Sequence, residues 1–469
     1  MTLIKSISGI RGTIGGKQGN GLSPLDIVKF SSAFATHIKR SLQKEKLTFV
    51  IGRDARISGD MLNHTVVGAL LGCGVNVIDT GLSTTPTVEM AVIEAAADGG
   101  IIITASHNPK QWNALKLLNN KGEFISAEEG NEVLKIAEEQ DFLYTDVDKL
   151  GTYTKDDNAI RKHIEKVLAL PLVDKKAITK ANFKVAIDCV NSTGGIAIPM
   201  LLDALGVKNI EKLYCTPDGH FPHNPEPLPE NLSEISRVVV QSRSHVGFVV
   251  DPDVDRLAIV CEDGEMFGEE YTLVAVADYI LKHQKGNTVS NLSSTRALRV
   301  ITEQAGAQYN ASAVGEVNVV EKMKETHAVI GGEGNGGVIY PELHYGRDSL
   351  VGIALFLSHM AHSGMICSAL REKYPDYYIS KNKIDLSDGV DIDDILLKIR
   401  SKYKKQPIND IDGLKIEFDN EWVHLRRSNT EAIIRIYSES DSMAKADHLA
   451  NKIITDISEI LRPSIDLEK

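Results

Sequence analysis

Ile101-Ile102-Ile103-Thr104-Ala105-Ser106-His107-Asn108-Pro109 is the stretch on which the fold turns. An apolar run led in by Gly99-Gly100 reads as a buried strand, and it stops in small, polar and ring-locked residues that cannot continue a sheet. Ser106 is thereby held on a short, stiff loop at the C-terminal end of a strand, where ligands sit in α/β sheets. Upstream, a helix over 23–42 precedes a strand over 47–52, a helix over 61–73, a strand over 75–79 and a helix over 88–97. That alternation is the signature of a parallel sheet. Arg11, bracketed by Gly9 and Gly12, is expected on a loop. Lys116 lies in the strand-like run 112–118, either as a solvated edge residue or as a cation aimed at the Ser106 loop.

The pattern then restarts twice. A strand over 183–188 and a helix over 196–205 are followed by an irregular, proline-rich excursion at 216–230. A strand over 246–250 runs straight into Asp251-Pro252-Asp253-Val254-Asp255-Arg256, and Asp263-Gly264 signals a hairpin between 257–261 and 265–267. The third copy has a strand over 288–292, a helix over 296–304, a strand near 327–330 feeding Gly331-Gly332-Glu333-Gly334-Asn335-Gly336-Gly337, and a helix over 349–362. Beyond about residue 373 the composition shifts towards charge, with a helix over 391–403, a hairpin about Asp419-Asn420, a strand over 432–437 and a helix over 443–461. The fold class is α/β: three related α/β units at 1–150, 151–264 and 265–372, and a smaller C-terminal α+β unit at 373–469.

Of 469 residues, 42% are hydrophobic and 25% charged, ordinary values for a folded chain. The formal net charge of −12 argues against nucleic acid or an anionic membrane as the partner. Cys73, Cys189, Cys215, Cys261 and Cys367 form no CxxC pair and read as reduced thiols of a cytoplasmic protein. The start shows no apolar run of a secretory signal, and no membrane span is expected.

Three constellations carry chemistry. Asp251, Asp253 and Asp255 alternate, so extended backbone would project their carboxylates to one side, where they repel unless a cation sits among them. Hard oxygen ligands suit Mg²⁺. A calcium EF-hand would need glycine at the sixth position and flanking helices, whereas Arg256 and strands stand there; a plain acidic turn is the other alternative. Three ligands leave an octahedral ion unsatisfied, and a phosphoryl oxygen on Ser106 would supply a further contact. Arg426, Arg427, Ser428, Asn429, Thr430 and Arg435 combine guanidinium groups with hydroxyls and turn-forming backbone, a phosphate-binding set or else a solvated surface. Glu333 and Asn335, among glycines, offer a carboxylate and an amide to sugar hydroxyls, unless the segment is only a loop.

Together these stretches resemble the α-D-phosphohexomutase family along essentially the whole chain. Thr-Ala-Ser-His-Asn-Pro at 104–109 is similar to its phosphoserine loop, Asp-Pro-Asp-Val-Asp-Arg at 251–256 to its metal loop, Gly-Glu-Gly-Asn-Gly at 332–336 to its sugar-binding loop, and Arg-Arg-Ser-Asn-Thr at 426–430 to its phosphate-binding loop. The resemblance implies four domains around a central cleft. It further implies an isomerase that carries phosphate on Ser106 beside Mg²⁺ and moves it between C1 and C6 of a hexose phosphate through a hexose 1,6-bisphosphate. Arg11, Lys116 and Arg256 would gather charge about the transferring group, with Lys116 also the candidate acid–base and His107 either a proton carrier or a loop-ordering residue. The 426–435 set would hold the phosphate that is not reacting. Many members read Gly-Glu-x-Ser-Gly-His where this chain has Asn335 and Gly337; that spelling resembles members assigned as phosphoglucosamine mutases. Glucose and mannose phosphates, or a catalytically silent phosphosugar-binding protein, are the alternatives. The partner is a small-molecule hexose phosphate, and the chain itself is expected as a monomer or homodimer.

Overall fold

The computed structural model describes every residue except 1, 7, 8, 18, 387–389, 428–432 and 462–469. Its first sheet has seven strands in the order Ile4–Ser6, Gly9–Thr13, Trp112–Leu118, Gly99–Ile103, Leu47–Arg53, Val75–Leu82 and Tyr153–Lys155. Leu47–Arg53 runs parallel to both neighbours, while Trp112–Leu118 is antiparallel to Gly99–Ile103 and to Gly9–Thr13. The sheet is therefore mixed. Arg11 lies within a strand, not on the expected loop, because backbone pairing with Ile4 and Ala114 overrides the turn propensity of the flanking glycines. The expected boundary at 150 falls inside this sheet, since Tyr153–Lys155 pairs with Val75–Leu82.

Local signals place several helices. Pro24–Leu42 starts at a reciprocal capping box between Ser23 and Asp26, and Ala127–Glu139 at one between Ser126 and Glu129. The second sheet orders Leu257–Cys261, Val246–Val250, Lys184–Asp188 and Asn209–Leu213; the third orders Tyr309–Ser312, Thr288–Asn291, Ile330–Glu333 and Gly337–Ile339. Of the hairpin expected at Asp263-Gly264, the second arm is reduced to one bridge between Val260 and Met266. The strand expected at 327–330 begins instead at Ile330, because His327 closes the helix Glu316–Thr326 in left-handed conformation.

The second and third units share one apolar core. Phe248 and Phe267 both meet Phe356, with ring centroids 6.1 and 5.2 Å apart, so the two units are not packed independently. Among the described residues no helix is long and apolar enough to cross a membrane, and all five cysteines are free.

The fourth unit is a five-stranded antiparallel sheet backed by the helices Ile392–Lys402 and Met443–Leu461. It docks on the third through Arg299 and Glu417, two N–H donors on two oxygens at 2.8 and 2.7 Å, and through His424. His424 Nε2 lies 2.7 Å from the Asp412 carbonyl and Nδ1 2.9 Å from the Ser293 hydroxyl. Burial, with Lys415 nearby, pushes its imidazole down to about 4. Between that value and the ordinary ~6.5 the unfolded chain binds more protons, so stability is present above the upper limit and falls with pH through the window. Acidification across it is expected to remove on the order of 2 kcal/mol at this joint. Urea midpoints measured at both ends should shift in the wild type and much less in His424→Gln.

Candidate functional site

Ser106 follows the strand Gly99–Ile103 in left-handed conformation, φ +49°, which costs a non-glycine residue energy and needs outside support. Its N–H donates to Thr104 Oγ1 at 2.9 Å. The larger support comes from Arg56, almost wholly buried, whose Nη2 donates to the carbonyls of Ser106 and Asn108 at 2.5 and 2.7 Å. Its Nη1 donates to those of Pro109 and Trp112 at 2.8 and 3.0 Å, and its Nε to Asp54 at 2.9 Å. A rigid five-donor fork thus fixes the loop's backbone. Phe221, from the proline-rich excursion of the second unit, stacks on this guanidinium at 5.1 Å. Sequence reasoning passed over Arg56; its signal was a second arginine, in Arg53-Asp54-Ala55-Arg56, just past a strand end.

Ser106 Oγ donates to Asp251 Oδ2 at 2.9 Å, joining positions 145 residues apart. Asp251, Asp253 and Asp255 are wholly buried, with one carboxylate oxygen of each lying within 4.8 Å of the others. The backbone here is a turn, not the extended run expected, because Asp251 Oδ1 accepts from the N–H groups of Asp255 and Arg256 at 3.1 Å and Val254 adopts φ +64°. Three units hold it: the Thr85 N–H donates to the Asp253 carbonyl, Ser192 and Thr193 to that of Pro252, and the Ser349 N–H to that of Val254.

Carboxylates this close repel by about 3–4 kcal/mol per pair at an effective dielectric near 20. Lys116 offsets part of this, with Nζ 2.7 Å from Asp253 Oδ2 and 3.5 Å from Asp255 Oδ2. Burial and its two acidic neighbours push Asp251 well above the usual carboxylate range, while Lys116 holds Asp253 below it against burial. Among the described residues, Asp253 Oδ1 and Asp255 Oδ1 are buried without a hydrogen-bond partner. Two orphaned anionic oxygens beside a third carboxylate fit a hard divalent cation. Burial works to lower the Lys116 ammonium, but Asp253 and Asp255 outweigh it and raise the group above the ordinary lysine range. It stands here as a cation paired with the triplet.

His107 Nδ1 is 3.4 Å from Ser106 Oγ and its Nε2 3.8 Å from Glu226. Burial and the Arg256 guanidinium push its pKa well down, favouring the neutral imidazole. Arg256 Nη1 meets Glu226 at 3.2 Å, and its buried Nε has no partner among the described residues.

The glycine-rich segment is a hairpin rather than a loop, with Gly332 paired to Val338 and Glu333 to Gly337. A Cβ on Gly332 would come 2.0 Å from the Gly337 carbonyl, so close strand approach explains the glycine. Glu333 accepts from Asn291 Nδ2 at 2.9 Å and pairs with Arg347 Nη1 at 3.0 Å. Arg347 also reaches Glu316 at 2.9 Å and Asp255 at 2.7 Å, tying the Glu333 carboxylate to the acidic triplet. A Cβ at position 337 would lie 2.4 Å from Arg347 Cδ, so the arginine occupies the space a side chain there would take. Arg347, Glu316 and Asn291 were not legible as site residues, since nothing in their local sequence marks them. Asn335 Oδ1 accepts from the Gly337 N–H at 3.2 Å.

Arg435 pairs with Arg426 across adjacent strands, and Arg426 Nη1 lies 3.6 Å from Asp412. Ser428, Asn429 and Thr430 lie outside the described residues. Burial first, then the charge of Arg435, lowers the Arg11 pKa, so the first and fourth units face each other here. Arg11 and Arg435 each keep a buried Nε–H without a partner among the described residues.

Comparison with known proteins agrees with this architecture. Residues 3–144, 161–264 and 268–378 match the families described as phosphoglucomutase/phosphomannomutase, alpha/beta/alpha domains I, II and III, and 384–455 match the C-terminal domain. A phosphoglucomutase/phosphomannomutase of Thermococcus kodakarensis is 36% identical, covering 93% of this chain and 95% of the relative. A phosphoglucosamine/phosphogalactosamine mutase of Sulfurisphaera tokodaii is 31% identical over 97% and 98%. The crystal structure of a phosphoglucomutase/phosphomannomutase family protein from Burkholderia thailandensis superimposes with a TM-score of 0.83 at 25% identity, covering 99% of each chain.

Proposed function

Because the chain belongs to the phosphoglucomutase/phosphomannomutase family, we propose that it is an isomerase moving phosphate between C1 and C6 of a hexose phosphate, with glucosamine phosphate as the preferred substrate. The observation that carries this reading is the bond from Ser106 Oγ to Asp251 beside two orphaned carboxylate oxygens. Ser106, carried as a phosphoserine, donates its phosphoryl group to the free hydroxyl of the sugar phosphate. The bond from phosphorus to Ser106 Oγ breaks as that to the sugar oxygen forms, the hydroxyl proton ending on Ser106 Oγ, leaving a 1,6-bisphosphate. After the sugar turns end for end, Ser106 takes back the other phosphate.

Asp251, Asp253 and Asp255 would hold a divalent ion such as Mg²⁺, which when bound supplies positive charge to the phosphoryl oxygens. Lys116, Arg11 and Arg256 add cationic charge around the transferring group. Arg426 and Arg435, with Ser428, Asn429 and Thr430, hold the distal phosphate, and Glu333 with Asn335 orients the sugar hydroxyls. The Gly-Glu-Gly-Asn-Gly-Gly spelling supports the amino sugar, as does the name of the Sulfurisphaera relative; that of the Thermococcus relative favours glucose or mannose phosphate.

The test is isomerisation of glucosamine, glucose and mannose phosphates by the purified protein with Mg²⁺ and catalytic bisphosphate. The highest kcat/KM is expected for glucosamine phosphate. A faster hexose replaces the sugar assignment and leaves the mutase reading intact; no turnover by folded, phosphorylated protein makes the chain a silent phosphosugar binder. Chelation of divalent ions is expected to lower turnover at least ~100-fold, with recovery on adding Mg²⁺.

A further inference from the structure

A second buried cluster is made of other residues than the acidic triplet, which it adjoins through Arg347 and Ser349, and nothing in the proposed reaction uses it. His163 on the helix Ala159–Ala169, His344, and Asp348 at the cap of Ser349–Ser363 each offer one donor atom, all within 4.8 Å of one another. His163 Nε2 lies 2.9 Å and His344 Nε2 3.4 Å from the same oxygen, Asp348 Oδ2. The side chains are almost wholly buried. An ion with bonds of about 2.0–2.1 Å in tetrahedral geometry separates its ligand atoms by about 3.3 Å, close to this spacing.

The outer nitrogens point the same way. His163 Nδ1 is 3.0 Å from Thr87 Oγ1, and His344 Nδ1 is 3.4 Å from Glu89 Oε2. Metal-ligating histidines take a hydroxyl, carbonyl or carboxylate on the far ring nitrogen; Thr87 is within hydrogen-bond distance of His163, whereas Glu89 stands beside His344 without a hydrogen bond to it. Glu89 is the independent sign. It is wholly buried on the helix Thr85–Glu94, and among the described residues neither of its oxygens nor His344 Nδ1 has a hydrogen-bond partner. A hydrogen-bonded network that was complete in itself would not leave three such atoms unused.

We propose that His163, His344 and Asp348 supply three ligands to a borderline divalent ion such as Zn²⁺, a water completing the fourth position, with Glu89 and Thr87 placed to orient the two imidazoles. Two nitrogens and one carboxylate select such an ion over Mg²⁺. The site joins the first unit, through Glu89 and Thr87, to the second and third, and does not rest on the mutase reading.

Chelator-stripped protein is titrated with Co²⁺ in the presence of excess Mg²⁺, added to compete at the acidic triplet. One equivalent is expected to bind with the intense visible absorption of four-coordinate cobalt, to survive gel filtration, and to be displaced by Zn²⁺. His344→Ala should abolish the band, and Glu89→Gln should weaken binding roughly 10–100-fold. If the alanine variant does not fold, the wild-type titration still decides. Only the weak spectrum of six-coordinate cobalt, or no retained metal, overturns the site.

Discussion

Intact-mass measurement is expected to show one covalently bound phosphate on the wild type and none on Ser106→Ala, whose mutase turnover should fall by roughly four orders of magnitude or more. The one other hydroxyl among the described residues that bonds to the triplet, Thr85 Oγ1 on Asp253 Oδ2 at 2.6 Å, is fixed at the start of the helix Thr85–Glu94 and shares that oxygen with Lys116, so it is not expected to replace Ser106 in accepting and returning the phosphoryl group. Stability should change little, by about 1 kcal/mol, because Asp251 keeps the two backbone N–H groups of Asp255 and Arg256 on its other oxygen. A variant that stays folded, unphosphorylated and active would remove the phosphoserine mechanism, and one that retains the added mass would move it to another residue.

The second large effect is on stability. Arg56→Ala removes the cation paired with the buried Asp54 and leaves the carbonyls of Ser106, Asn108, Pro109 and Trp112 without their shared donor. Breaking a buried charge pair from one side costs on the order of 3–5 kcal/mol. Arg56→Lys keeps the charge but not the planar fork, so it should recover only part of that loss. Denaturant unfolding of both variants measures it, alongside turnover, which should fall with loop order even under conditions where the protein remains folded. A loss below about 1 kcal/mol for the alanine variant would show that the loop holds its strained serine without the arginine.

Much of the architecture is legible locally because its causes are local. The strand Gly99–Ile103 announces itself by an apolar run closed by turn residues, and Pro24–Leu42 by the cap at Ser23. The hairpin about Asp419-Asn420 and the helix Met443–Leu461 follow from turn chemistry and 3.6-residue periodicity. The acidic triplet could be read as a cation site from charge alone, since three carboxylates crowded together stay ionised only when positive charge lies among them.

Other features were decided only by the folded chain. Arg11 became a strand residue because two partners bond its backbone, and the glycine run became a hairpin because close approach of Gly332 and Gly337 rewards the missing side chains. The triplet converges through a turn closed on Asp251 rather than through a pleat. Arg56, Arg347 and the His163, His344 and Asp348 cluster carry no strong local mark, because most of their partners lie tens to hundreds of residues away and burial alone turns an ordinary charge into a determinant. The order of elements and the kinds of chemistry were thus set by the amino-acid sequence, through propensity and pattern. Which charges meet, which stay unpaired and which are buried was set by tertiary packing, since electrostatic energy depends on distance and dielectric, and neither exists until the chain has folded.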